Sequence, residues 1–541
     1  MNRTVAGQEK GHFFRMNFPS TALVGPPSIV AIFFGLLALA VPTLLQNPVL
    51  NSDGDLARHL RHGHYMLQHA GLIRADPFSF TRPGAPFVGF EYGSQLVYAL
   101  VHRLGGLPAV AILAGLLVAL TYSLLARFLL RRGVDPLLAC LTVGLAVTLG
   151  VPHWMARPHL FSFLAVVILL GLLEEPKRKS LLACAVLFAF WANLHGGFLY
   201  GFILIGLYLL GSLGELFLSD DPGRWGARAK QYLAMLAVAV VVTFLNPYGL
   251  KLHRHLFDFF GQPFLRDNTA EFVSPNFHDP DGKLFLAVLL VAFSTLALHR
   301  QRPTLPRLLI ILVSTAFGLI SVRNIPLFGL MALPLIALEV SPAWRTLPVF
   351  PEVRERFSRT VDRTRTLPWV APVLLLLGVV ALNHGQLGSL QLIRDEFDPT
   401  VFPVNAVSKA RSAGLEGHVF TPLAWGGYVL YAWPEQQIFI DGGTDFFGEN
   451  IFREYIQIRR LSPGWRELIR NHDISVMLLE RQTALAHELA RESDWAVWYC
   501  DSLAVLFRRS RTPSLMPADS SERRLEPCAR RSSQSLGHGQ Q

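Results

Sequence analysis

The chain has 541 residues, of which 51% are hydrophobic and only 16% charged, with a mean hydropathy of +0.36. A soluble chain carries about a quarter charged residues, so a soluble globular protein is excluded and a membrane protein is expected. The net charge of +10 suggests nucleic acid as a partner, but the Lys and Arg fall in short blocks between apolar runs. They form no basic stripe with interleaved aromatics, so the expected partner is the lipid bilayer and not nucleic acid.

Residues 1–27 read as a cytoplasmic segment, followed by a first apolar run at 28–46. Ala38-Leu39-Ala40 imitates a cleavage site, but apolar residues continue to Leu45, so the run reads as an uncleaved anchor. Further apolar runs at 97–128, 137–153, 159–173, 181–194, 197–216, 231–246, 283–298, 308–322, 325–340 and 369–384 bring the total to about eleven spans. If the spans alternate, "RFLLRRG", "EEPKRK", "GRWGARAK", "HRQRPTLPR" and the linker 341–368 all fall on one side, the cytoplasm by the positive-inside rule. The opposite side receives the long loop 47–96, "MARPH", "NLHGG", 247–282, "VRN" and everything after 385.

The stretch 385–510 changes character. "GHVFTPLAWGGYVLYAWPEQQIFIDGG" predicts strand, glycine turn, helix and strand, and "ISVMLLE", "QTALAHELA", "WAVWYCD" and "LAVLFRR" predict strand, helix, strand, strand. A small extracytoplasmic α/β domain is expected there, after a transmembrane domain at 28–384 and before a disordered tail at 511–541. Cys140 and Cys184 lie in apolar runs and Cys528 in the tail, so no disulfide framework or metal-binding set is expected, nor a Cys500–Cys528 bridge.

Polar residues that orientation does not explain gather on the outer side, where ionisable groups at a bundle edge mark a site or pathway. Asp53 and Asp55 follow the first span, and Leu56, Leu60 and Leu67 behind them predict an amphipathic helix on the membrane surface. Either Asp is a helix cap or one is a general base or metal ligand, with His59 close behind. A loop of this length favours function over mere connection, and Glu91 near its end is a second carboxylate or an ordinary first-turn residue. His195 in "WANLHGG" sits at a helix end beside two glycines. Arg157 in "WMARPHLFSF" and Arg323 with Asn324 in "ISVRNIPLFG" stand between apolar runs, where a planar guanidinium fork suits a lipid phosphate. Glu271 is an acid/base candidate, whereas Asp441 and Asp445 in "FIDGGTDFFGE" read as an Asp-capped turn.

Taken together, a first membrane helix ending in acids, a long amphipathic outer loop, many helices and an outer α/β domain resemble the GT-C glycosyltransferase superfamily. As a set, "DGDLARHL", "DPFSFT", "RPHLFSF", "WANLHGG", "NPYG", "RNIPLF" and "WGGYVLYAWPEQQIFIDGG" are similar to a bacterial family of uncharacterised GT-C-like membrane proteins, over roughly 47–507. The resemblance implies an α-helical polytopic protein of the bacterial inner membrane that uses a polyprenyl-phosphate-linked sugar donor and an unnamed acceptor at the extracytoplasmic face. It places the signature carboxylate at Asp53 or Asp55, although a glycine separates the two here where other members have an adjacent Asp-Glu pair. Asp55, Asp53 and Glu91 are then the catalytic candidates, and Arg323, Asn324, Arg157, His195 and His59 the substrate-binding ones. No cofactor is assigned, and a divalent metal at Asp53/Asp55 stays open. The competing functions are a transporter or flippase of a lipid-linked or anionic solute, and a non-catalytic envelope assembly protein.

Overall fold

The computed structural model describes residues 27–298, 302–346, most of 351–357 and 367–509. The expectations for the N-terminal segment up to 26, the tail from 511 and Cys528 lie outside the described residues. Each of the eleven expected spans coincides with a helix. These are α1 (Ile29–Leu44), α4 (Tyr92–Arg131), α5 (Pro136–Gly150), α6 (His159–Glu174), α7 (Ser180–Leu194), α8 (Phe198–Leu218), α9 (Pro222–Val242), α12 (Pro280–Leu298), α13 (Leu305–Ile320), α14 (Ile325–Thr346) and the helix Leu367–Leu382. Among the described residues, five helices are long and apolar enough to cross a membrane and five shorter ones are apolar. The remaining one, α9, opens on Arg224, Arg228 and Lys230 and turns apolar only after Tyr232.

Glycines reset one expected boundary. α4 is broken at Gly105 and Gly106, the latter with φ +65°. A Cβ at Gly106 would lie 2.2 Å from the Asp395 carboxylate, which instead accepts the Leu107 N–H at 2.7 Å. The apolar part of α4 therefore restarts at Leu107 under a carboxylate cap, and not at 97.

The acid-headed helix α3 (Asp55–Gln68) forms where expected but does not lie open on the bilayer. Short α2 (Gln46–Asn51) delivers the chain to it, and α3 buries Leu56, His59, Leu60 and His62 between α4 and the helix Leu423–Ala432. Glycines allow this close approach. A Cβ on Gly63 would sit 2.1 Å from the Gln95 carbonyl oxygen, and one on Gly427 2.1 Å from the Gly54 carbonyl oxygen. Gly63→Val is expected to lower stability by about 1–3 kcal/mol through overpacking, read as a drop in Tm.

The C-terminal part carries a hairpin of β1 (Gln386–Leu387) and β2 (Leu390–Gln391), then a four-stranded sheet. That sheet runs β3 (His418–Phe420), β4 (Ile474–Glu480), β6 (Ala504–Arg509), β5 (Trp495–Cys500), parallel between β3 and β4 and antiparallel elsewhere. Two expectations fail locally. Gly426 and Gly427 lie inside the helix Leu423–Ala432 rather than in a turn, because their missing Cβ atoms admit Ile440 and Gly54. "QIFI" shrinks to single bridges, Ile438 pairing with Val419 and with Ser79 of the outer loop. Phe80 N–H donates to the Ile438 carbonyl at 3.2 Å and Ile438 N–H to Phe78 at 3.1 Å, so loop and domain share backbone. Cys500 is disulfide-bonded, against expectation, while Cys140 and Cys184 are free.

The two ends of the bundle differ. One gathers the basic blocks, where Arg307 bridges Glu174 (2.5 Å) and Glu339 (2.9 Å) and Arg302 pairs with Glu215 at 2.8 Å. The other gathers α3, the loops around Arg157, His195, Glu271 and Arg323, and the α/β domain.

Candidate active site

At that second end the chain leaves α2 through a tight turn in which the Asp55 N–H donates to Asp53 Oδ1 at 2.9 Å. Both carboxylates consequently face the segment before α6. That segment is pinned to α2 by the Ala156 N–H donating to Val49 (2.8 Å), and to α4 by the Tyr98 hydroxyl donating to the Arg157 carbonyl (2.9 Å). The Arg157 guanidinium then meets three acids. Its Nε donates to Asp53 Oδ1 at 3.2 Å, Nη2 pairs with Asp53 Oδ2 and lies 3.2 Å from Asp55 Oδ2, and Nη1 pairs with Glu271 Oε1. Arg58 Nε lies 3.5 Å from Asp55 Oδ1, and Arg323 Nη1 3.3 Å from Glu271 Oε2. Three carboxylates thus face three guanidinium groups.

Burial works against the charge on Asp55, but Arg157 and Arg58 outweigh it and hold the group well below the usual carboxylate range. Burial likewise opposes the charge on Glu271, and Arg157 with Arg323 brings it down. In Asp53 burial prevails over Arg157 and the pKa rises. Arg323 is the accessible member. Its side chain is 34% exposed, its guanidinium lies 5.3 Å from the Phe272 ring centre, and Glu271 is its ion-pair partner.

A second group lies around Glu91, at the head of α4. Its oxygens stand 3.8 Å from His59 Nδ1 and 3.8 Å from His195 Nε2, beyond hydrogen-bond reach. His195 is oriented from behind. Gly197 N–H donates to its Nδ1 at 3.0 Å and Ser162, which accepts from Trp191 Nε1, stands 2.7 Å from the same nitrogen. Nδ1 therefore accepts, and the neutral ring carries its proton on Nε2, toward Glu91. Burial keeps both histidines well below their ordinary range. Glu91, 8% exposed, is pushed up to about 7 by burial, with Arg58 opposing.

This sets a pH-dependent stability. Below pH 4.5 Glu91 is protonated in both folded and unfolded chains. Between about 4.5 and about 7 the unfolded chain ionises while the folded one keeps its proton, so the contribution of Glu91 falls as pH rises and is lost above the folded value. Glu91→Gln is expected to match wild type in Tm at pH 4 and to exceed it at pH 8 by the equivalent of about 3 kcal/mol.

The α/β domain closes over both groups. A Cβ on Gly442 would lie 2.1 Å from Asp55 Oδ1, so glycine at this position lets the segment pass directly against the acid. Asp441 accepts the Gly443 N–H at 2.7 Å, and burial pushes its carboxyl up to about 6. Asp445 accepts from His255 Nε2 at 2.9 Å. His255 belongs to α10 (Leu250–Phe260), so the loop 247–282 also reaches the domain.

Asp53, Asp55, Arg157 and Arg323 are thus brought into one cluster, joined by Glu271 and Arg58. Glu91, His59 and His195 form the adjoining group. Asn324 accepts from the Tyr200 hydroxyl at 2.7 Å and donates to the Phe317 carbonyl at 3.3 Å, bonds that fix the break between α13 and α14. From the sequence, neither Arg58 nor His255 is singled out, and Asp441 and Asp445 read as a turn. The one available signal was acids recurring after "FID". Arg157 Nη2 contacts both the Asp53 and the Asp55 carboxylates, in the place a divalent metal shared by the pair would take. Among the described residues no group of three His, Cys, Asp or Glu is placed to hold one.

No family model and no curated protein sequence matches the chain. Solved structures do. The Archaeoglobus fulgidus oligosaccharyltransferase in its apo form is similar with a TM-score of 0.53 at 11% identity, over 91% of this chain and 75% of that one. The same enzyme tethered to an acceptor peptide with the NVT sequon gives 0.52 at 12%, over 89% and 74%. ArnT from Cupriavidus metallidurans bound to undecaprenyl phosphate gives 0.50 at 15%, over 90% and 99%. All are GT-C superfamily members. The chain is a multi-pass membrane protein with the GT-C architecture and a small C-terminal sheet domain.

Proposed function

We propose that the protein is a membrane glycosyltransferase that moves a sugar from a polyprenyl-phosphate-linked donor to an acceptor hydroxyl at the extracytoplasmic face of the bacterial inner membrane. The observation that carries this reading is the Asp53–Asp55–Arg157–Glu271–Arg323 cluster at the outer end of the first membrane helix, in a chain with this architecture. The solved ArnT holds undecaprenyl phosphate and the oligosaccharyltransferase an acceptor peptide, which supports a lipid-linked donor and an outer acceptor.

In this reading the acceptor oxygen attacks the anomeric carbon, the bond from that carbon to the phosphate oxygen breaks, and its electron pair leaves on the phosphate. Asp55 takes the acceptor proton, and Arg323 with Arg157 holds the charge that builds on the leaving group. A phosphate that draws Arg157 toward itself removes the counter-charge from Asp53 and Asp55, so donor binding raises the basicity of the acid pair. Arg323, the most accessible arginine of the cluster and ion-paired, among the described residues, to Glu271, is where the phosphate lands first.

Native mass spectrometry of gently purified protein tests the donor. Wild type is expected to carry a polyprenyl phosphate or its glycoside, and Arg323→Ala to retain at most a tenth of it. Equal retention by Arg323→Ala, or ordinary phospholipid alone in both, would count against the assignment.

A further inference from the structure

The ion-pair cluster is balanced as it stands, with Asp53, Asp55 and Glu271 facing Arg58, Arg157 and Arg323. A phosphate added to it would bring an uncompensated negative charge into a largely buried place, which is costly. An anion therefore settles on these arginines only when one of the three carboxylates gives way.

Three observations single out Glu271. Among the described residues its carboxylate alone reaches both Arg157 and Arg323, Oε1 pairing with Arg157 Nη1 and Oε2 lying 3.3 Å from Arg323 Nη1. Two oxygens of a phosphate suit the same two guanidinium forks. The Glu271 side chain is also the most exposed of the three acids, at 25% against 22% for Asp53 and 18% for Asp55. Finally, its backbone is fastened independently of the carboxylate. Ser321 Oγ donates to the Glu271 carbonyl at 2.8 Å, and the Val322 N–H to the Val273 carbonyl at 3.0 Å. Rotation about the side-chain bonds is thus enough to move the carboxylate toward solvent while the loop stays docked. Asp53 lacks this freedom, because its Oδ1 accepts the Asp55 N–H at 2.9 Å, and Asp55 is closed in by Gly442.

We propose that Glu271 is a built-in competitor of the donor phosphate, holding the Arg157–Arg323 pair until a phosphate arrives, swinging aside for it, and returning to help release the polyprenyl phosphate product. The inference deepens the transferase reading and rests on its assignment of Arg157 and Arg323 to the leaving phosphate. Exchanging one carboxylate for one phosphodiester leaves the charge of the cluster unchanged. After transfer the phosphate is a monoester carrying about −1.5 to −2 at neutral pH, which grips the arginines harder than the donor did. A returning carboxylate is most useful at that step.

The test titrates undecaprenyl phosphate into full-length protein, stripped of co-purified lipid, in phosphatidylcholine nanodiscs, and counts bound lipid by native mass spectrometry. Glu271→Gln, which keeps the shape of the side chain without its charge, is expected to bind at least tenfold tighter than wild type. Glu271→Ala is run as a second variant, and Tm is recorded for both. On an Arg323→Ala background the Glu271→Gln change is expected to gain threefold or less, because one of the two contested guanidinium groups is gone. A carboxylate that only held the loop in place would give the opposite sign, weaker binding in both variants. Equal or weaker binding by both folded variants, while wild type binds, overturns the role of Glu271 and leaves the transferase reading standing. A gain of the same size with and without Arg323 overturns it as well. No binding by wild type or by either folded variant removes the phosphate assignment itself, and this inference with it.

Discussion

Arg157→Ala is expected to be the most damaging single change to the fold. Its guanidinium is the shared partner of Asp53, Asp55 and Glu271, at the junction of α2, α6 and the loop 247–282. Removing it leaves Asp53 without a cation in contact and Asp55 with only Arg58 at 3.5 Å. Breaking a buried pair costs about 3–5 kcal/mol, because the remaining charge is stranded in a medium that solvates it poorly. Against a typical total stability of about 5–15 kcal/mol, that is enough to lower Tm by many degrees or to abolish folded yield. Arg157→Lys should recover little, since one ammonium cannot satisfy acids spread across a planar fork. Combining Arg157→Met with Asp53→Asn and Glu271→Gln should recover most of the loss, because it removes the stranded charges together with their partner. If Arg157→Ala melts like wild type, the cluster is not an integrated ion-pair network.

Asp55→Asn should have the largest effect on activity, with a measurable loss of stability because the charge that Arg157 and Arg58 hold on Asp55 is removed. The amide keeps the shape and still packs against Gly442, but it cannot accept the acceptor's proton. A positioned carboxylate base is worth about 10²–10⁴-fold in rate, and a loss of that size is expected in kcat with little change in donor retention. Arg58 and Arg157, partly released from Asp55, would hold a lipid phosphate at least as well as before. The same substitution at Asp53, whose carboxyl burial pushes up, should cost the fold less than Asp55→Asn does.

The spans were legible because twenty-residue apolar runs have one physical outlet, a membrane helix. The positive-inside pattern likewise separated the end holding Asp53, Arg157, His195 and Arg323 from the end holding Glu174 and Arg307. What stayed hidden was contact across hundreds of residues. Nothing in "DGDLARHL" says that Gly442 will close on Asp55, and nothing in "FIDGGTDFFGE" says that its acids face Arg58 and His255. The first depends on a missing Cβ at Gly442, which a single sequence records only as glycine, and the second on side-chain pairs between segments far apart in the chain. Missing Cβ atoms likewise misplaced Gly426 and Gly427 in a turn. "QIFI" failed as a strand because Ile438 bridges Val419 and Ser79 singly, without a continuous ladder. Helix α3 was assigned to the membrane surface because its amphipathic face looks the same whether it covers lipid or protein.

The most direct test of glycosyl transfer is a single-turnover assay on wild type and Asp55→Asn in proteoliposomes, following the sugar on the co-purified polyprenyl lipid by mass spectrometry. The expected result is loss of the sugar from the lipid in wild type when a whole envelope extract is added as the source of acceptor, and an intact lipid-linked sugar in Asp55→Asn at equal occupancy. Equal rates in the two proteins would contradict the role of Asp55, and an unchanged lipid in both would contradict the transferase itself.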